Sequence, residues 1–373
     1  LFMKNQINDF WNSTMTYGVS NMINRNDYNF NQKNIPIGNY QTYQKDFSWL
    51  NDFVINNNQT LLLGLQSNQI KTKDEDTFFG IAKFEGSRVI NSLLAGYTGK
   101  FDAIGLQLNI RHDNTNKGED ATTGLSGLSY DINPQWKWAG NISNAFSAPT
   151  SAQLNNIGSG GNPNLKPETS INGEVGSNYM NRYFDTDVAF FYTQVVDLMT
   201  KLPTNIDGVS TVNLNGDNVN LVSVQNEGVV NVYGGFIALR LKLSNTLNWH
   251  STATVTKAHF KGENENVPHI PPFYGKSSLN YKLKRLKFSV YTRFNGKKDW
   301  RDFNVLNDNP DEAVYGYGSP AWATLNISAF MYLYKDLKIQ VAAENLLDVH
   351  YKTFASGISS PGRNLMASVY FKF

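Results

Sequence analysis

Five histidines, His112, His250, His259, His269 and His350, are the side chains best suited to move protons near neutral pH, so their spacing is read first. No two stand at a separation that would bring their imidazoles onto one metal ion. His250 and His259 fall at opposite ends of one expected strand. No Gly-x-Ser-x-Gly surrounds a serine, and no glycine-rich loop with a following Lys and Ser or Thr is present to cradle a nucleotide phosphate. The chain has no cysteine, which removes thiol catalysis, thiolate metal sites and disulfides within it. The expectation is a protein with no catalytic residue, no metal ligand set and no cofactor, hence not an enzyme.

The residues present in excess are aromatic. Phe, Tyr and Trp number 23, 19 and 7, or 13% of 373 residues, while charged residues make up 17%, against about 25% in ordinary globular chains. Net charge is +2 with no basic cluster, which leaves no electrostatic case for nucleic acid. Mean hydropathy is −0.40, and no apolar run approaches the roughly 18 to 20 residues of a spanning helix. Two stretches concentrate aromatics among polar neighbours. Residues 297–320 bring Trp300, Phe303, Tyr315 and Tyr317 into one segment expected to be exposed, and residues 350–361 add Tyr351 and Phe354. Such sets suit a bulky, partly apolar ligand, and they equally suit a girdle at a membrane interface.

The elements that must position these residues are strands. Period-two alternation recurs near 8–22, 39–50, 57–69, 86–98, 101–111, 121–131, 134–143, 169–180, 184–200, 227–243, 247–260, 273–281, 285–296, 321–333, 337–347 and 362–373. That predicts about sixteen strands, most nearer ten residues than the five or six usual in soluble sheets. In 337–344, Leu337, Ile339, Val341 and Ala343 oppose Lys338, Gln340, Ala342 and Glu344; in 286–293, Leu286, Phe288 and Val290 oppose Lys287, Ser289, Tyr291 and Arg293.

The connections alternate in length. Short links such as 181–183, 244–246, 283–284 and 334–336 alternate with long ones at 144–168, 201–226, 261–272, 297–320 and 348–361. Tight turns at one end and long loops at the other are the pattern of an antiparallel transmembrane β-barrel, with short periplasmic turns and long extracellular loops. In hydrocarbon all backbone groups must pair within the protein, so an all-strand chain spans only as a barrel. Pro163 and Pro167 cannot sit in a central strand and place 144–168 in an outer loop. Polar residues on the inner face, among them Lys338, Gln340, Glu344, Lys287, Ser289, Arg293, Asn109 and Arg111, would meet a plug or water.

Three stretches together carry a family resemblance. AENLLDVHYKTFASGISSPGRNLMASVYFKF, at 343–373, resembles the C-terminal signature of TonB-dependent outer-membrane receptors through Asn345, Leu346, Leu347, Asp348, Tyr351, Gly362, Arg363 and a terminal Phe373. NISNAFSAPTSAQL followed by GNPNLKPETSINGEVG, within 141–176, is similar to a second family segment at Phe146, Ala148, Pro149, Asn162, Pro163, Leu165, Pro167, Glu168, Ser170, Glu174 and Gly176. Asn226, Gly228 and Gly234 resemble a third, although Phe236 stands where the family usually has Glu.

The resemblance implies active uptake of a scarce, bulky nutrient across the bacterial outer membrane, and looks closest to the cobalamin receptors of the family. Ferric-siderophore or haem uptake is the alternative, and a passive sixteen-strand porin the second. A receptor barrel of this kind has about 22 strands, so residues 1–373 are expected to be part of one. The resemblance then implies that the first strands, the plug domain, the TonB box and an export signal lie outside this chain, which opens LFMKNQINDFW. It also implies as partners the TonB–ExbB–ExbD complex, outer-membrane lipid, a small-molecule ligand captured by the outer loops, and barrel-assembly machinery recognising the C-terminal strand.

Overall fold

The computed structural model describes residues 1–30, 33–76, 84–116, 119–155, 160–205, 211–214, 217–262, 266–304, 318–334, 336–356 and 358–371. Among the described residues it is all-β apart from a five-residue helix, α1 (Ser151–Asn155), and a 3-10 turn at Trp300–Asp302. The strands are β1 (Phe2–Asn8), β2 (Trp11–Phe30), β3 (Lys33–Asn56), β4 (Gln59–Asp76), β5 (Phe84–Phe101), β6 (Ile104–Thr115), β7 (Ala121–Asn133), β8 (Trp136–Ser147), β9 (Glu168–Met180) and β10 (Phe184–Pro203). They continue as β11 (Thr211–Leu214), β12 (Asp217–Asn220), β13 (Val222–Lys242), β14 (Leu247–Phe260), β15 (Tyr274–Leu283), β16 (Leu286–Asn295), β17 (Trp322–Tyr332), β18 (Leu337–Glu344) and β19 (Asn364–Phe371). Seventeen belong to one antiparallel sheet; β11 and β12 pair only with each other.

The count of seventeen exceeds the expected sixteen at one place. The stretch 8–22 is not one strand, because the chain reverses at Asp9 and Phe10 and β1 folds back on β2, pairing Phe2 with Thr16 and Asn8 with Trp11. Asn8 makes the turn: its Oδ1 accepts from the backbone N–H groups of Phe10 and Trp11 at 3.1 and 2.9 Å, an Asx turn that alternation cannot reveal. Near the start of the chain, the short links at 57–58 and 102–103 fall at the same end of their strands as this turn; later in the chain, those at 134–135, 181–183, 243–246 and 284–285 fall at one end of the strands that they join.

Contacts divide the chain into two compact units. The first comprises Leu1–Ser129, Asn141–Asn172 and Gln194–Val229; the second comprises Tyr130–Gly140, Gly173–Thr193 and Val230–Phe373. In the second, registered pairing sorts the residues cleanly. Leu279 pairs Val290, which pairs Ile327, which pairs Ala343, which pairs Leu365. On the opposite face Lys276 pairs Arg293, which pairs Thr324, and Tyr332 pairs Lys338, which pairs Tyr370. The apolar face is uncovered, with Leu365 77% and Val369 68% exposed. In water such a surface would be prohibitive; in hydrocarbon it is the required outward face. Exposed aromatics stand at the turn end of several strands, including Phe10, Phe101, Trp136, Tyr183 and Tyr334, where interfacial girdles form.

The first unit keeps the same division. Leu61, Leu63 and Leu65 of β4 register with Tyr97, Ala95 and Leu93 on the outward face, whereas Gln66 and Asn68 point inward with Ser92. Four of its strands are much longer: β2 to β5 have 20, 24, 18 and 18 residues, about twice the 9 to 11 that cross a bilayer.

Candidate functional site

The inner face is a mesh of partnered polar groups. Arg111 donates to Asp113 (2.7 Å), Gln66 (2.6 Å) and Ser92 (2.7 Å), and Asn68 donates to Asp46. Tyr291 donates to Glu344 at 2.8 Å beneath Lys276, whose Nζ lies 4.7 Å from its ring centre. Lys338 lies 4.1 Å from the ring centre of Tyr370, whose hydroxyl donates to Gln340 at 3.2 Å. These residues brace one another and present a polar wall. The histidines stay apart: His112 contacts Thr122, His259 contacts Asn231 and His350 contacts Ser359. Among the described residues no three His, Asp or Glu side chains converge as a metal site.

At the loop end of the second unit, Asn345 ties the connection from β18 to β19. It is 2% exposed. Its backbone N–H donates to Asn326 Oδ1, its Oδ1 accepts from the Val349 N–H, and its Nδ2 donates to the Val349 and Pro361 carbonyls. Asn345 and Asp348 both take left-handed backbone conformations, at φ 50° and 53°, which Asn and Asp tolerate better than most residues. Asp348 accepts from the Arg363 N–H at 2.8 Å, and the Arg363 guanidinium donates to the Leu346 carbonyl. A Cβ on Gly362 would sit 2.7 Å from Asp348 Oδ1, so glycine is what lets this carboxylate close. The residues singled out by sequence here are a structural knot.

The first unit has its own knot. Asn162 donates to the Val224 carbonyl and accepts from the Asn164 N–H. Asn226 accepts from the Lys166 N–H and donates to the carbonyls of Lys166 and Asp197. Glu168 accepts from the Met199 N–H at 2.6 Å. Leu165 is buried, while Pro163 and Pro167 hold the loop out of the ladder. Pro149, fully buried, receives on its carbonyl the Arg88 guanidinium, which also pairs with Glu119 at 3.0 Å. Phe146, near the outer end of β8, is half-buried. Arg88 and Glu119 carried no sequence signal, since Arg88 reaches a carbonyl 61 residues away and Glu119 meets Arg88 across 31 residues.

The aromatic candidates divide. Phe303 is only 4% exposed, which differs from the open position expected of it. It packs with Phe354 at 6.2 Å, and the buried Lys298 ammonium lies 4.4 and 4.7 Å from the two ring centres while donating to the Ile270 carbonyl. Tyr351 packs on Trp322 at 4.5 Å. Trp300 is exposed. Tyr315, Tyr317 and Phe373 lie outside the described residues. Beside Trp300, the Arg301 side chain and N–H donate to Asp299 and hold its carboxyl down at about 2.

Residues 3–346 match the family model "TonB dependent receptor-like, beta-barrel". The chain belongs to that family. Within it, the chain is 25% identical over 335 residues to "Vitamin B12 transporter BtuB" of Vibrio vulnificus (strain YJ016), covering 87% of this chain and 49% of that protein. Similar solved structures include the ferric enterobactin receptor PfeA of Pseudomonas aeruginosa, in a mutant form (TM-score 0.77, 17% identity, 100% of this chain and 60% of that one). The siderophore receptor PirA of Acinetobacter baumannii (0.76, 17%, 97% and 60%) and the copper transporter OprC (0.77, 13%, 98% and 65%) are also similar. At those identities the structures speak for the fold alone. The receptor chain thus spans about half the length of the curated relative and under two thirds of these structures. The family is one of outer-membrane transport receptors.

Proposed function

We propose that this receptor barrel takes up cobalamin, by TonB-dependent active transport across the bacterial outer membrane. The observation that carries the ligand is the 25% identity to a vitamin B12 transporter, extended over 87% of the chain. In this reading, the rest of the protein supplies a plug domain and a TonB box that engage the TonB–ExbB–ExbD complex. The polar inner mesh around Arg111 and Tyr291 faces that plug. Trp300, with Tyr351 and Phe354 on the neighbouring loop, would meet the ligand, while the buried Phe303 would support Phe354 from beneath; Tyr315 and Tyr317, outside the described residues, are further candidates by sequence. Aromatic rings there would receive the flat apolar faces of a large ligand. The barrel performs no catalysis, and barrel-assembly machinery recognises the final strand through Phe373.

Binding of cyanocobalamin to membranes containing the full-length protein, alone and against a ferric-siderophore competitor, tests the ligand. Saturable binding unaffected by the siderophore is expected. No binding at micromolar concentration, or displacement by the siderophore, moves the assignment to ferric-siderophore uptake. Accumulation that persists in cells lacking TonB would remove the active-transport reading in favour of a passive pore.

A further inference from the structure

The outward face of β10, β13, β14 and β15 is not uniformly convex. At Gly235 and Ala253 it sinks into a groove of about 620 Å³. Gly235 pairs with Val255, and Ala253 with Ile237, so all four share one face. Phe190, 63% exposed, and Phe273 rise on either side of it. The floor is low because it has to be: a Cβ on Gly235 would lie 3.0 Å from both the Ala189 carbonyl oxygen and the Phe190 ring. This is the lipid side of the wall. The opposite parity carries Asp185 paired with Arg240, and Phe191 stacks against Gly234 from within.

One step further toward the loop end, the same face changes character. Two residues beyond Val255 stands Lys257, exposed and paired in register with Tyr233. Beyond it His259, also exposed, pairs with Asn231 and lies edge-on to Tyr233 at 5.9 Å. Tyr192, next outward from Phe190 on its face, donates to Asn231 at 2.7 Å. A lysine and a histidine pointing out of a barrel wall cannot sit in hydrocarbon, so they mark the headgroup level of the outer leaflet. An apolar groove thus ends, at that level, under a cation and several hydrogen-bonding groups.

We propose that this groove is a binding site for one phosphate-bearing lipid of the outer leaflet. One acyl chain lies over Gly235 and Ala253 between Phe190 and Phe273, and the phosphate meets the Lys257 ammonium, with Tyr233 and His259 beside it. The occupant follows from position: only lipid reaches this face, and a cation at the groove's outer end selects an anionic headgroup over a zwitterionic one. The site lies on the wall's exterior, so it is independent of which nutrient the loops capture.

The test uses the full-length receptor reconstituted in phosphatidylcholine nanodiscs doped with bis-phosphorylated lipid A, then exchanged into detergent and weighed by native mass spectrometry. The wild type is expected to retain one lipid A, and to retain chemically dephosphorylated lipid A at least tenfold less. Ala253→Leu, which fills the floor, and Lys257→Glu, which reverses the charge, are each expected to lower retention at least tenfold, with folding checked by heat-shifted gel mobility. The dephosphorylated lipid needs no variant, so the test stands even if a substitution disturbs insertion. Equal retention of the two lipids, or wild-type retention in both variants, would overturn the proposal.

Discussion

Strands β2 to β5 and the loop between β18 and β19 reach past the membrane in two different ways. The four long strands continue as a backbone ladder: β2 and β3 pair from Trp11–Phe53 out to Phe30–Lys33, and β3 and β4 from Asn56–Gln59 to Gly38–Asp76. Twenty-four residues of strand reach roughly 80 Å along the chain. By contrast β18 and β19 have eight residues each, just under the 9 to 11 of a crossing strand, and residues 345–356 and 358–363 between them carry no strand. There the ladder's work passes to side chains, chiefly one buried asparagine acting as a surrogate backbone group. A ladder distributes its cost over dozens of equivalent bonds, whereas a knot concentrates it. Side-chain truncation should therefore be severe in the one and mild in the other.

The sharpest way to break that contrast is Asn345→Ala. It removes the 2%-exposed side chain that partners the part-buried Val349 N–H and the Val349 and Pro361 carbonyls, groups each worth up to about 1–3 kcal/mol when left unsatisfied away from water. A local loss of about 3 kcal/mol corresponds to roughly hundredfold faster amide exchange. That acceleration is expected across 346–363 in the full-length receptor, with the strands unchanged. Exchange no faster than wild type would mean that the loop is held by something other than the knot.

Asn226→Ala should come next. Its amide spans 60 residues of sequence to reach Lys166, but it is only partly buried, so water recovers some of what is lost. About 2 kcal/mol, or some thirtyfold faster exchange at Lys166 and its neighbours, is expected. An effect equal to that of Asn345→Ala would show that burial does not rank these knots.

How much of this could be read from the chain alone follows the same division. The strands were legible because lipid imposes alternation on every one of them, and Leu337, Ile339 and Val341 announce it without help from any neighbour. The Asx turn at Asn8 was not, since one asparagine looks like any other until its carbonyl oxygen is seen on two N–H groups. Asn345, Asp348 and Gly362 were visible as a motif, but not the geometry that makes the glycine necessary. Phe303 was misjudged as open because its burial depends on Lys298 and Phe354, brought together only by tertiary contact. The outer groove was invisible for a related reason: Gly235, Ala253 and Phe190 come from three strands, and only their register makes a depression.

Within the ladder, Gln41→Ala should do little. Gln41 donates to Asn21 at 2.9 Å on an exposed surface, and exposed hydrogen bonds contribute about 0.5–1.5 kcal/mol at most. Less than threefold faster exchange across Asn39–Tyr43 is expected, because the main-chain pairs on both sides remain. A change as large as that of Asn226→Ala would erase the distinction between ladder and knot.

The smallest effect should be Asp299→Asn. Asp299 caps the 3-10 turn at Trp300–Asp302, accepting from the Arg301 N–H and guanidinium, and these hydrogen bonds hold its carboxyl at about 2. A depressed carboxyl contributes above its unfolded value, near 4, and loses that contribution as pH falls through about 2. The turn should therefore be unaffected by acid down to about pH 4 and loosen only between there and about pH 2. Asparagine keeps the cap but not the charge, so Asp299→Asn should abolish this pH dependence while leaving exchange at Arg301 and Asp302 near its wild-type rate at pH 7. Since the pair is open to solvent, raising the salt to 1 M should weaken the wild-type dependence as well. A transition already complete at pH 4 would mean that Arg301 does not hold the carboxylate, and that this turn, unlike the Asn345 loop, is shaped by its backbone alone.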